Sequence, residues 1–158
     1  MSSLFSEVCR IKQSQRLLDF ATRTIKFRGK DILTDKWVYG DLLHLGNAYA
    51  IVTSYEEEKL EVNAISGRLE IQLEDIVGVY PEAVGQFTGL FDKDGCEIYE
   101  GDILCNIDTN RKVAVVYEAP QFCYSDNDFG YKFLNLPENY IVVGNIHDNP
   151  ELLKGGAG

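Results

Sequence analysis

Three carboxylates between positions 97 and 102, Glu97, Glu100 and Asp102, are the densest candidate for chemistry in this chain. Two neighbouring acids act as general acid and base only where burial or a like charge separates their pKa values. These acids stand in "VGQFTGLFDKDGCEIYEGDIL", residues 84–104, a stretch with glycines at 85, 89, 95 and 101. A phosphate loop would need Gly-x-x-x-x-Gly-Lys-Ser/Thr between strand and helix, and neither Gly89 nor Gly95 opens such a run. A calcium loop starting at Asp92 would need glycine at its sixth position and glutamate at its twelfth; Glu97 and Ile103 stand there instead. The sequence "DKDG" reads as a type I turn followed by a left-handed glycine at Gly95, the sign of a short hairpin with a bulge. "EIYEGDIL" then enters a strand with its corner at Gly101 and Asp102. Acids at strand corners are usually solvated, so the stretch predicts corners of a sheet, and no catalytic residue is assigned.

Other chemistry-bearing side chains are sparse. The two histidines, His44 and His147, lie in no nucleophile motif, and a hydrogen-bonded structural role is expected for His147. The cysteines Cys9, Cys96, Cys105 and Cys123 form no C-x-x-C pair and are read as reduced thiols. Ile103, Cys105 and Ile107 alternate with Asp102, Asn106 and Asp108, which makes Cys105 a small core residue. Glu56, Glu57 and Glu58 lack the glycine-shaped loop and further oxygen ligands a cation would need, so they are read as a solvated hairpin tip. Neither a metal nor a cofactor is expected.

The net charge of −10 is unevenly placed. Residues 1–30 hold seven basic residues against Glu7 and Asp19, a net of +5, while the remainder holds eight basic and 23 acidic residues, a net of −15. Such a body repels duplex phosphate unless its few cations cluster on one face. Three readings of this asymmetry stay open: a solvated acidic surface, a charge mimic of DNA, or a basic segment folded back on the acidic body. Arg10, Lys12, Arg16 and Arg23 are the candidates for nucleic-acid contact in that segment.

The elements that must position these groups are mostly strands. Residues 2–22 predict a helix, capped at Ser2 or Ser3, with Leu4, Val8, Ile11 and Leu18 near one face. From Thr24 the period changes to two, Ile25 and Phe27 alternating with Lys26 and Arg28. Strands follow in "KWVYGDLL", "AYAIVTS", "KLEVNAI" and "LEIQLEDIVGVY", and again in "RKVAVVYEA" and "YIVVGNI", with a loop at 125–130. Val113, Val115 and Tyr117 share one predicted core face. At the end, Asp148 or Asn149 is expected to cap a short helical turn with Pro150 at its first position. No run is long enough to span a membrane and no signal peptide is apparent, so a cytosolic protein is expected. Trp37, Tyr39, Phe87 and Tyr99 are the candidate binding residues if they form an exposed aromatic patch; aromatics of a β protein more often lie in its core.

Three blocks also carry a family likeness. "IKFRGKD…KWVYGDLL", "VGQFTGLFDKDGCEIYEGDIL" and "YIVVGNIHDNPELL" resemble the hallmark blocks of the YopX family, small proteins of phages and prophages, in order and spacing from Thr24 to Leu153. Cys96 stands where that pattern has a polar turn residue, and His147 where an aromatic is common. The resemblance implies a mainly β protein of small barrel-like sheets with an SH3-like C-terminal half, and it implies no activity. With the predicted elements it gives an N-terminal helical extension (1–23), a β domain (24–153, its halves meeting at 83/84) and a flexible tail (154–158). The function expected is a non-enzymatic interaction module acting on a host or phage protein in the bacterial cytosol. The alternatives are nucleic-acid association through the basic N-terminal segment and, third, an enzyme using the carboxylates. Open sheet edges make a homo-oligomer an expected state under each.

Overall fold

The computed structural model describes residues 24–53, 75–126, 130–133 and 139–154. Eleven strands make two antiparallel sheets among these residues. The first has the order β4-β3-β2-β1-β5-β6, from β1 (Phe27–Lys30), β2 (Trp37–Leu45), β3 (Ala48–Val52), β4 (Ile76–Gly78), β5 (Gly85–Phe91) and β6 (Glu97–Tyr99). The second has the order β10-β9-β8-β7-β11, from β7 (Asp102–Asn106), β8 (Lys112–Glu118), β9 (Gln121–Asp126), β10 (Gly130–Phe133) and β11 (Tyr140–Asn145). The first sheet therefore draws strands from both sides of position 84.

Local sequence accounts for most of these elements. The "DKDG" turn joins β5 to β6 as expected: Asp92 N–H donates to the Cys96 carbonyl, Gly95 N–H to the Asp92 carbonyl, and Gly95 has φ 82°. The Asp92 carboxylate tightens the turn by accepting from the Asp94 and Cys96 amides. Pro150 starts a 3-10 turn, Pro150–Leu153, but neither predicted cap works by its side chain. The Asp148 carboxylate is drawn instead to Trp37, Lys30 and Asn145.

One expectation of fold class is corrected and another falls outside what the structure describes. Among the described residues the only helices are 3-10 turns, at Pro81–Ala83 and Pro150–Leu153, and the predicted helix at 2–22 lies outside the described residues. The C-terminal half is an open sheet rather than a closed barrel, with β10 and β11 at its two ends. Closure fails because the outer edge of β11 is met by a turn instead of a strand. The Asp92 carboxylate accepts from Val142 N–H, and Lys93 N–H donates to the Tyr140 carbonyl.

The core of the second sheet holds Leu104, Val113, Val115 and Tyr140, joined by Ile98 from β6 of the first sheet. Strand β7, between β8 and β11, is buried on both faces, which places Cys105 inside as its spacing predicts. It also buries Asp102, correcting the expectation of a solvated corner acid; only 1% of that residue is exposed. Val113 and Val115 are buried as predicted, while Tyr117 stands half-exposed at the end of β8, T-stacked on its cross-strand partner Phe122. The tip containing Glu56, Glu57 and Glu58 lies outside the described residues. His44 stacks on its register partner Tyr49, with ring centroids 4.3 Å apart.

Where the sheets meet, chain approaches chain closely. A Cβ built on Gly85 would stand 2.4 Å from the Glu100 carbonyl oxygen, a backbone atom that cannot swing aside. Gly85→Ala is therefore expected to cost roughly 1–3 kcal/mol through forced backbone displacement. A thermal or urea unfolding curve checks this, and wild-type stability would contradict the packing described.

Candidate binding face

Antiparallel register sorts side chains between the two faces of the first sheet. Arg28 pairs with Tyr39 and Lys30 with Trp37, while Phe87 pairs with Tyr99, so these side chains share one face. Lys26, just before β1, and Arg28 and Lys30 on it alternate along the chain, and each meets an acid from far along the sequence. Lys26 Nζ contacts both oxygens of Glu97, at 2.7 and 3.0 Å. Arg28 Nη1 donates to Asp102 Oδ1 at 2.5 Å, and Nη2 donates to the Glu100 carbonyl at 3.0 Å. Lys30 Nζ lies 3.0 Å from both Asp35 and Asp148. For these three cations the basic N-terminal region does fold back on the acidic body; Arg10, Lys12, Arg16 and Arg23 lie outside the described residues.

Arg28 is the centre of the arrangement. It is 6% exposed, and its guanidinium carbon sits 4.7 Å from the Trp37 ring centroid and 5.2 Å from that of Tyr99. Cation–π attraction of this kind is stronger when desolvated. Its Nε is buried without a hydrogen-bond partner among the described residues. Asp102 uses its second oxygen to accept Tyr99 N–H at 2.7 Å. Burial pushes the Asp102 carboxyl up from its ordinary value, against the opposing pull of Arg28 and the Tyr99 amide.

All four aromatic candidates fall into this cluster. Tyr39 meets Tyr99 edge-on at 5.5 Å, Tyr99 meets Phe87 at 5.5 Å, and Phe87 meets Phe91 edge-on at 5.6 Å. Trp37 joins through Arg28, donates Nε1–H to Asp148 at 2.6 Å, and packs 5.9 Å from the His147 ring. The row is buried in the middle, at Phe87 and Tyr99, and surfaces at its ends, where Tyr39 is 44% and Phe91 56% exposed. The patch anticipated from the sequence is thus half core and half surface. Phe91 was not anticipated, although its i, i+4 relation to Phe87 across the flexible Gly89 was visible.

The three carboxylates do not share a site of their own. Glu97 holds Lys26 and accepts the Tyr99 hydroxyl at 2.7 Å. Burial raises its pKa, but the Lys26 and Tyr99 hydrogen bonds outweigh that and leave it lowered. Tyr99 is raised, by burial first and by the neighbouring Glu97 charge. Asp102 belongs to Arg28, and the Glu100 backbone, rather than its carboxylate, receives the guanidinium. Cys105 and Cys123 are buried thiols and Cys96 is an exposed one; Cys9 lies outside the described residues.

The acid pairs set a pH dependence whose sign can be worked out. Asp148 is pushed well below the ordinary 3.8 by donors from Asn145, Trp37 and Lys30, and Glu97 and Asp31 are lowered too. A lowered carboxylate contributes stability above its unfolded pKa and loses it as pH falls through the folded value. His147, lowered by burial and by Arg28, acts in the same sense: its contribution is present above 6.5 and declines below it. Asp102, being raised, acts in the opposite sense. Asp148→Asn is therefore expected to lower stability at pH 7 and to flatten the loss between pH 5 and pH 2, read from urea midpoints across that range. An unchanged acid limb would refute the assignment.

The family described as YopX protein matches residues 26–154. The crystal structure of protein EF1440 from Enterococcus faecalis is similar at 28% identity and a TM-score of 0.54, covering 84% of this chain and 99% of that one. No curated protein matches the chain. No described helix is long and apolar enough to cross a membrane.

Proposed function

This chain belongs to the YopX family, and from that premise we propose that it is a non-enzymatic protein-interaction module. In this reading it is encoded by a phage or prophage and acts on a host or phage protein in the bacterial cytosol. The observation that carries it is the aromatic row of the first sheet, locked at its centre and open at both ends. Rigid aromatics lose little conformational entropy when they bind, and tyrosine and tryptophan are enriched among the residues that dominate interface energies. Tyr39 and Phe91 are held by buried neighbours, Tyr99 and Phe87, so they present preformed apolar contacts to a partner. The polar groups that chemistry would recruit are engaged in holding that row in place: Glu97 by Lys26, Asp102 by Arg28 and Asp148 by Trp37.

The test is capture from nuclease-treated bacterial extract by the full chain and by the double variant Tyr39→Ala/Phe91→Ala. A stoichiometric protein partner is expected on the wild type, with at least about tenfold weaker binding to the double variant. Both residues are exposed, so the variant's unfolding curve should stay close to wild type and separate lost binding from lost folding. Capture that ignores both substitutions, or recovery of nucleic acid alone, would overturn the proposal.

A further inference from the structure

Resting on the interaction reading above, we propose that residues 1–23 of this chain lie over the Phe91 end of the aromatic row and compete there with the partner. The first argument is where that segment joins the fold. It enters at Thr24, and two residues on the Lys26 carbonyl accepts Phe87 N–H at 2.7 Å. The Lys26 side chain reaches Glu97, the register partner of Phe91. The segment is therefore delivered to the end of the row that surfaces at Phe91. From there the row runs back through Phe87 and Tyr99 to Tyr39 in ring-to-ring steps of 5.6, 5.5 and 5.5 Å. Twenty residues reach roughly 30 Å even at the short rise of a helix, so the whole row is within range.

The second argument is the segment's own pattern. Leu4, Val8, Ile11 and Leu18 recur at spacings of four, three and seven, an apolar stripe at the helical period. Such a stripe gains stability chiefly by packing on an apolar surface, and the exposed Phe91 ring offers one beside the point of attachment. Covalent attachment also favours this occupant over any other. A short tether holds its segment at an effective concentration of the order of millimolar, an advantage that a second copy or a separate partner lacks. The partner then meets a site that is open only part of the time, and its apparent dissociation constant rises by the reciprocal of the open fraction. The affinity of the row is in this way set from within the chain.

The test places a nitroxide on Cys9, within the stripe, in a full-length Cys96→Ser chain; Cys105 and Cys123 are buried and stay unlabelled. Broadening of the Leu90 and Phe91 amide resonances is expected, and it should vanish in Leu4→Ser/Val8→Ser/Ile11→Ser/Leu18→Ser. Absent broadening overturns the inference. So does broadening seen only when spin-labelled chains are mixed with isotope-enriched, unlabelled ones, which would assign the cover to a second copy. In capture from nuclease-treated extract the serine variant is expected to hold the partner severalfold more tightly than wild type, still through Tyr39 and Phe91. Every residue of the described core lies beyond position 24, so the variant's unfolding curve should stay cooperative. The two claims fail separately. Capture that needs Tyr39 and Phe91 but ignores the serine substitutions removes the competition and leaves the interaction module standing. Broadening at Phe91 together with capture indifferent to both aromatics removes the module's face and leaves the segment seated on the row.

Discussion

Replacing Asp102 by alanine is expected to lower the free energy of unfolding by about 3–5 kcal/mol, the usual cost of leaving one member of a buried ion pair alone. Arg28 would keep its place between Trp37 and Tyr99 with no counter-charge, and its Nε already lacks a partner among the described residues. The Tyr99 amide would lose its acceptor as well. The same physics predicts that the double variant Arg28→Met/Asp102→Asn is less damaged than Asp102→Ala. Methionine removes the stranded charge and fills much of the apolar stem's space, while asparagine can still accept from Tyr99 N–H. The raised carboxyl of Asp102 points the same way, since burial outweighs the attraction of its partner. The pair therefore adds little net stability as a pair, and its role is to fix how β1 and β7 sit against each other. Urea denaturation of the two singles and the double closes the cycle; a double variant as damaged as the sum of the singles would mean the two side chains act independently.

Ile98→Ala is the second large effect, at about 2–5 kcal/mol for a fully buried aliphatic truncated in a packed core. Ile98 is fully buried, and its strand belongs to the first sheet while its side chain packs with Leu104, Val113, Val115 and Tyr140 of the second. A cavity there loosens both sheets at once. Unfolding of the variant is expected to stay a single transition with an unchanged denaturant slope and a lower midpoint. Two separated transitions would show instead that the sheets unfold independently, with Ile98 serving only one of them. Ile98→Val should cost only about 0.5–1.5 kcal/mol, which tests that the loss follows volume.

Both effects arise from contacts between residues far apart in the chain, which explains what a reading of the sequence could and could not reach. The period-two alternation from Thr24 onward, the turn at Asp92–Gly95, the inward Cys105 and the helical turn at Pro150 are local matters. Backbone sterics and the burial of alternate side chains set them within a few residues. Asp102 looked like a solvated corner acid because it follows Gly101 at the entry to a strand. Its burial depends on Arg28, 74 positions earlier, and no local pattern contains that pairing. The run Lys26, Arg28, Lys30 did carry a signal: three cations at alternate positions need three acids. Which acids answer was set only when the sheets met.

The aromatics divide in the same way. Their number, with the alternating apolar positions, was enough to specify a β protein with large side chains to bury. Whether Phe87 and Tyr99 or Tyr39 and Phe91 would be covered depended on tertiary packing: the first two are buried and the last two exposed, although all four stand on strands of one sheet. The open end of the second sheet is likewise a tertiary outcome. The Asp92 carboxylate takes the Val142 amide and Lys93 N–H takes the Tyr140 carbonyl, so the edge of β11 is met before another strand can pair with it. Alone, the sequence determined the strand-rich character, the turns, the family and the excess of acid. Tertiary structure decided which acids hold cations and which rings face solvent, because those choices are made by chain segments that meet only in the folded protein.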